Sequence, residues 1–205
     1  MIAPPERSPE RDAAIDALLP NVPFDGWTFL ALRRGLTAAG SAPEEAELLF
    51  PGGAPDMIEA FCDLADRRME QEAAGRDWGE TRLPGRVRAV IAIRLEQNRP
   101  NKEAVRRAMG VLALPRHARL AAICTARTVD VIWHAAGDRS TDFSWYTKRA
   151  ILTAIYSTTV LFWLRDGSDG DAATLAFLDR RLAGVGRIGR IRRRADRMLG
   201  RFRPA

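Results

Sequence analysis

Ala150-Ile151-Leu152-Thr153-Ala154-Ile155-Tyr156-Ser157-Thr158-Thr159-Val160-Leu161-Phe162-Trp163-Leu164 passes fifteen residues without a charge. Apolar groups fall on every side of a helical wheel, and a helix of that kind is expected to be covered on all sides. The stretch is shorter than the roughly 20 residues a bilayer crossing requires, and Lys148, Arg149, Arg165 and Asp166 fence it. It therefore predicts the central helix of a helical body. A second apolar helix, from Pro115 to Ala136, carries Leu120, Ile123, Val129, Ile132 and Trp133. With the faces around Phe61 and Ile91, the two would enclose the body. That pattern fits an ordinary packed core. It also fits a cavity for an apolar ligand, lined by apolar groups with a few polar handles. In the cavity reading the candidate lipid-binding residues are Leu152, Ile155, Tyr156, Thr159, Phe162, Trp163, Ile132 and Phe61. The hydroxyls of this helix would be the handles, unless they return their hydrogen bonds to the backbone.

Outward from this stretch the chain reads as helices separated by Pro and Gly. Ser8-Pro9-Glu10 is an N-cap followed by Pro at the first helical position, opening a helix to Leu19. Further helices are expected at 26–39, 43–50, 54–74, 84–97, 101–111, 142–165 and 171–183. The face Met57, Ile58, Phe61, Leu64, Ala65, Met69 has helical spacing. The expected fold class is all-α, about nine helices plus a C-terminal amphipathic helix. Residues 1–75 have the layout of a helix-turn-helix head, 76–183 form a helical body, and 184–205 a basic tail. This layout resembles the TetR-family fold, and a homodimer is expected by that likeness.

Composition excludes more than it assigns. The 205 residues hold 32 Lys and Arg against 26 Asp and Glu, a net charge of +6. Ten arginines between Arg180 and Arg203 supply the excess. Cys62 and Cys124 have neither metal nor CxxC spacing and are expected to be free thiols in a reducing cytosol. Met1 to Arg11 has no apolar run and is not read as a signal peptide. His117 and His134 stand alone. No HExxH, phosphate loop or paired Glu-x-x-His of a di-iron bundle is present in the sequence. The expectation is a protein that is not an enzyme and has no cofactor or metal, cytoplasmic and peripheral on the inner membrane of a bacterial cell.

The segment Gly137-Asp138-Arg139-Ser140-Thr141-Asp142-Phe143-Ser144-Trp145-Tyr146 closes one helix and caps the next. Together with Trp133-His134 before it, Thr147, Arg149-Ala150 and Ile155-Tyr156-Ser157-Thr158-Thr159 after it, and Ala176-Phe177-Leu178-Asp179-Arg180-Arg181 downstream, it resembles the coenzyme Q (ubiquinone) biosynthesis protein nine family. The likeness is plainest from Leu112 to Leu182. The resemblance implies a TetR-like fold without catalysis. It implies a body that binds isoprenoid lipid or a ubiquinone precursor, and a partner, the di-iron demethoxyubiquinone hydroxylase. The positions matching the partner contact are Leu112, Leu114, Pro115 and Trp133. The family's Pro-His-Asn run is replaced here by Pro115-Arg116-His117.

In the tail, Val185, Ile188, Ile191, Ala195, Met198 and Phe202 recur at steps of three and four among arginines. This is a basic amphipathic pattern suited to an anionic membrane surface. Ile188, Ile191, Arg190, Arg193, Arg194, Met198 and Phe202 are the candidate membrane-binding residues. The alternative function is a TetR-like DNA-binding regulator responding to an apolar ligand. Against it, the would-be recognition helix carries Glu44, Glu45 and Glu47, where duplex DNA requires cations.

Overall fold

A computed structural model of the chain describes residues 3–138 and 144–184. Two compact units, Met1–Ser140 and Thr141–Ala205, divide it. No strand occurs among the described residues, in line with the all-α expectation. The tail candidates Ile188, Arg190, Ile191, Arg193, Arg194, Met198 and Phe202 lie outside the described residues, as does most of the capping segment from Arg139 to Phe143.

The first unit runs α1 (Pro9–Leu18), α2 (Val22–Asp25), α3 (Phe29–Ala38), a 3-10 turn at Pro43–Glu45 continuing into α4 (Ala46–Leu49), α5 (Ala54–Ala74), α6 (Leu83–Asn98), α7 (Lys102–Leu112), a 3-10 turn at Pro115–His117 and α8 (Ala118–Ala135). Ser8 caps α1 as expected, its hydroxyl accepting the Arg11 N–H at 3.1 Å. The helix expected at 26–39 begins later. Gly26 ends α2 with φ +73, and Thr28 caps α3 by accepting the Ala31 N–H at 3.2 Å. The helix expected at 43–50 is a tight turn followed by only four α-helical residues.

Apolar spacing and burial agree along α5: Met57, Ile58, Phe61, Leu64, Ala65 and Met69 are all buried. α1 and α3 cross so closely at Gly35 that an added Cβ would lie 2.2 Å from the Ala17 carbonyl oxygen. Trp27 packs against Phe61 with ring centroids 5.4 Å apart, and its indole N–H donates to the Ala104 carbonyl of α7 at 3.0 Å. The core of residues 14–64 thus extends through Ala104 and Ala108 into α7.

Buried charge in this unit is paired, as buried charge must be. Arg11 donates to Asp56 at 2.5 Å and to the Leu49 carbonyl, with its guanidinium 4.4 Å from the Phe50 ring centre. Asp63 accepts from Arg7 at 2.6 and 2.8 Å and from Arg67 at 3.0 Å. Desolvation pushes the Asp63 carboxyl up, but the two guanidiniums outweigh it and hold it below its ordinary range.

α8 ends as the sequence indicates. Gly137 takes φ +81, its N–H donating to His134 at 2.9 Å, and the Asp138 N–H reaches back to the Trp133 carbonyl at 3.0 Å. This is the double closure that a left-handed residue past a helix end permits.

The second unit contains α9 (Ser144–Trp163) and α10 (residues 172–184). Asp166 forms the turn between them. It accepts the N–H groups of Ser168 and Thr174, both at 2.8 Å, and the Thr174 hydroxyl at 2.6 Å. Desolvation raises the Asp166 carboxyl, and these donors override it and hold it well below the usual carboxylate range.

Candidate functional site

The fifteen uncharged residues lie on α9, and their burial is two-sided rather than all-round. Leu152, Ile155, Thr159, Val160, Trp163 and Leu164 are buried. Ile151, Leu161 and Phe162 are exposed, Leu161 by 52%. The expectation of a helix covered on every side is corrected here: periodicity shows that a face is apolar, not that anything lies against it. Tyr156 is half-buried.

Beside the exposed face lies an open groove of about 570 Å³ within the second unit, lined by Thr158, Leu161, Phe162, Arg165, Asp166, Gly167 and Phe177. Phe162 of α9 stacks on Phe177 of α10, centroids 4.7 Å apart and planes 9° from parallel. The Arg181 guanidinium lies 5.1 Å from the Phe177 ring centre. The groove therefore offers apolar and aromatic surface with cationic groups at its margin. That mixture suits an amphiphile, whose apolar part needs cover and whose polar end needs a charge or donor.

Two of the expected hydroxyl handles spend their hydrogen bonds on the backbone. Thr158 donates to the Ala154 carbonyl at 2.7 Å, and Thr159, fully buried, donates to the Ile155 carbonyl at 2.7 Å. Both return their hydrogen bonds to their own helix. Of the remaining candidates, Phe61 and Ile132 belong to the first unit. Phe61 is packed on Trp27, and Ile132 is fully buried on α8. Leu161, Arg165 and Phe177 line the groove without having been singled out. Leu161 and Arg165 follow Thr158 at steps of three and four, which was the available signal.

The partner candidates occupy both ends of α8. Leu112 packs against the core of the first unit, Leu114 is 40% exposed and Pro115 is exposed. Trp133 sits half-buried near the other end. The eighteen residues of α8 separate the two by about 27 Å at 1.5 Å per residue. They are two surfaces, not one patch. At the first, the Arg116 Nε donates to His117 Nε2 at 3.1 Å. Near the second, His134 Nε2 lies 3.8 Å from Glu70 of α5.

Sequence reasoning missed a buried polar cluster between α5, α6 and α8. Asp66 lies 3.1 Å from Arg94 and accepts the Thr128 hydroxyl at 3.0 Å. All three are buried. Burial pushes the Asp66 carboxyl up to about 6 despite the opposing pull of Arg94 and Thr128. The signal was a charge on each of two otherwise apolar faces: Asp66 among Phe61 to Met69, and Arg94 between Ile91 and Leu95. At the head, Glu47 of α4 pairs with Arg33, and Arg34 pairs with Asp25 at 2.5 Å.

No group of His, Cys, Asp and Glu among the described residues is placed to hold a metal ion. No helix among them is long and apolar enough to cross a membrane.

Comparison with known proteins gives these features a context. The COQ9 family model matches residues 118–189, covering α8, α9 and α10. The ubiquinone biosynthesis protein COQ9, mitochondrial, of Drosophila melanogaster is 36% identical over 177 residues, covering 84% of this chain and 54% of that protein. Its human counterpart is 33% identical over 82% of this chain and 55% of its own length. The Schizosaccharomyces pombe protein is 33% identical over 82% of this chain and 66% of its own. The chain thus spans about half the length of its animal relatives. Among solved structures, the TetR transcriptional regulator from Nitrosomonas europaea superposes with a TM-score of 0.69 at 25% identity, over 86% of this chain and 97% of that one. The expected TetR-like fold is therefore present. The expected location is not upheld. Each of these relatives is named a mitochondrial protein of a eukaryote, which overturns the reading of a bacterial, cytoplasmic protein. With its signature from Trp133 to Arg181 matched by the family model, and over four-fifths of its own length aligned to relatives at 33–36% identity, the chain belongs to the COQ9 family.

Proposed function

We propose that this chain is a non-catalytic accessory protein of ubiquinone biosynthesis that binds an isoprenoid lipid or quinone precursor at an anionic membrane surface and presents it to the demethoxyubiquinone hydroxylase. The observation that carries the reading is the exposed apolar face of α9 beside the groove lined by Leu161, Phe162 and Phe177. Apolar area removed from water contributes roughly 25 cal/mol per Å², so a polyisoprene chain laid on this face has a favourable alternative to water. The names of the relatives support the pathway. Leu114 and Pro115 at one end of α8, and Trp133 at the other, are the surfaces offered to the hydroxylase. The basic tail is the segment offered to the membrane.

The test is organic extraction of the purified protein followed by mass spectrometry. Prenyl lipid in the wild-type extract, and its loss in Phe162→Asp, is the expected result. A folded, lipid-free wild-type protein that takes up no quinone precursor from vesicles refutes the reading. Trp133→Lys is expected to keep the fold and weaken hydroxylase binding at least tenfold; unchanged binding rejects Trp133 as a contact.

A second reading, a DNA-binding regulator, draws on the TetR transcriptional regulator with which the fold superposes. The head argues against it. α4 has four residues, Glu44 and Glu45 are exposed before it, and Arg33 and Arg34 are both paired with carboxylates. Binding to phosphates depends on cations available to displace counterions. Salt-dependent, sequence-selective DNA binding by the purified chain would restore the regulator.

A further inference from the structure

Cys62 and Cys124, far apart in sequence, face each other across α5 and α8. The two helices run parallel with a nearly constant offset. Asp66 meets Thr128 at 3.0 Å, and Glu70 meets His134 at 3.8 Å. One turn before Asp66 is Cys62, and one turn before Thr128 is Cys124. The thiols fall on the same rung, close enough for each to shift the other's proton affinity. Cys124 is buried and Cys62 half-buried, both as free thiols.

We propose that Cys62 and Cys124 are an oxidation site that closes to an intrachain disulfide, clamping α5 to α8. The two sulfurs differ in character. The neighbouring Cys62 thiol, followed by the charge of Arg127, holds the Cys124 thiol below its ordinary range against burial. The neighbouring Cys124 thiol, together with burial, pushes the Cys62 thiol well up. Cys124 is thus the nucleophile, because the thiolate is the reacting form. Arg127, one turn on, is itself fixed by an ion pair with Glu59 of α5.

With a hydroperoxide as oxidant the steps balance. The Cys124 thiolate attacks one oxygen of hydrogen peroxide. The O–O bond breaks, hydroxide leaves, and Cys124 becomes a sulfenic acid. Cys62 then loses its proton, and its sulfur displaces the hydroxyl group from Cys124. The S–S bond forms and the departing hydroxyl leaves as water. Overall two thiols and one peroxide yield one disulfide and two waters, the thiols losing two electrons and the peroxide gaining them. The closed loop holds more than sixty residues, so the crosslink removes considerable freedom from the unfolded chain.

The test uses the full chain treated with graded hydrogen peroxide. The expected result is simultaneous loss of both thiols and a mass decrease of two hydrogens. A Cys62–Cys124 linked peptide should appear after digestion, with reversal by dithiothreitol. Thermal midpoint should rise by on the order of 10 °C. In Cys62→Ala, Cys124 is expected to remain as a dimedone-reactive sulfenic acid. The assignment is overturned if the wild-type chain gains oxygen without losing both hydrogens, if the crosslink joins two chains, or if neither thiol reacts. The wild-type peptide map decides the matter even where the alanine variant does not fold.

Discussion

Asp66→Asn is expected to leave the protein no less stable at pH 7 and to make it more stable by up to about 3 kcal/mol, although it removes one partner of a buried ion pair. The reasoning starts from competing effects on one carboxylate. Arg94 at 3.1 Å and the Thr128 hydroxyl at 3.0 Å favour its charged form, while complete burial disfavours it. Burial prevails, lifting the carboxyl from the ordinary 3.8 to about 6. An acid with a raised folded-state pKa binds its proton more tightly when folded. Its contribution to stability is therefore fully present below pH 4 and lost as pH rises from about 4 through about 6. Roughly two pH units at about 1.4 kcal/mol each amount to on the order of 3 kcal/mol. Asparagine matches the protonated acid in shape. Its carbonyl can accept from Arg94, and its amide can donate to Thr128. The assay is urea unfolding of wild type and Asp66→Asn at pH 4, 5, 6 and 7, compared at each pH so that other carboxylates cancel. The stabilities should coincide near pH 4 and diverge in favour of the variant toward pH 7. A loss of about 3–5 kcal/mol at pH 7, the usual result of orphaning a buried charge, would refute the reasoning and show that Arg94 needs the carboxylate.

The remaining expectations concern the first unit. Gly35→Ala should destabilise by about 2–4 kcal/mol, because its Cβ would meet the Ala17 carbonyl at 2.2 Å and force α1 from α3; a thermal midpoint within 2 °C of wild type, roughly a 1 kcal/mol effect, would contradict this close crossing. Asp63, held below the usual range by Arg7 and Arg67, contributes stability that is present above pH 4 and lost as pH falls through its folded value. Asp63→Asn should accordingly weaken the protein at pH 7 and by progressively less as pH falls below 4, and a loss that does not shrink in acid would contradict the ion-pair origin.

Much of the fold could be read from residue order. Pro, Gly and capping hydroxyls place helix ends because they act through bonds to atoms a few residues away, so Ser8, Gly137 and the span of α5 from Ala54 to Ala74 match expectation. The helix expected at 43–50 does not, because the tight turn at Pro43–Glu45 leaves only four residues to wind. The site was less legible. The sequence indicates that residues 150–164 are apolar, but exposure of Ile151, Leu161 and Phe162 depends on what the rest of the chain covers. That depends on contacts over long sequence separations, which no local pattern encodes. The same holds for the hydroxyls of Thr158 and Thr159. Their composition suggests ligand handles, and only the helix geometry sends them back to the Ala154 and Ile155 carbonyls.

Sequence alone determined that the chain is helical, that its apolar faces are strong enough to drive packing, and that its signature belongs to the COQ9 family. Tertiary structure alone decided which charges are buried and which thiols meet: Asp66 with Arg94 and Thr128, Cys62 with Cys124. The physical reason is the same in each case. Helix formation is set by neighbours three and four residues apart, whereas burial, desolvation and thiol encounter are set by residues about thirty or more positions away, brought together only when α5, α6 and α8 pack.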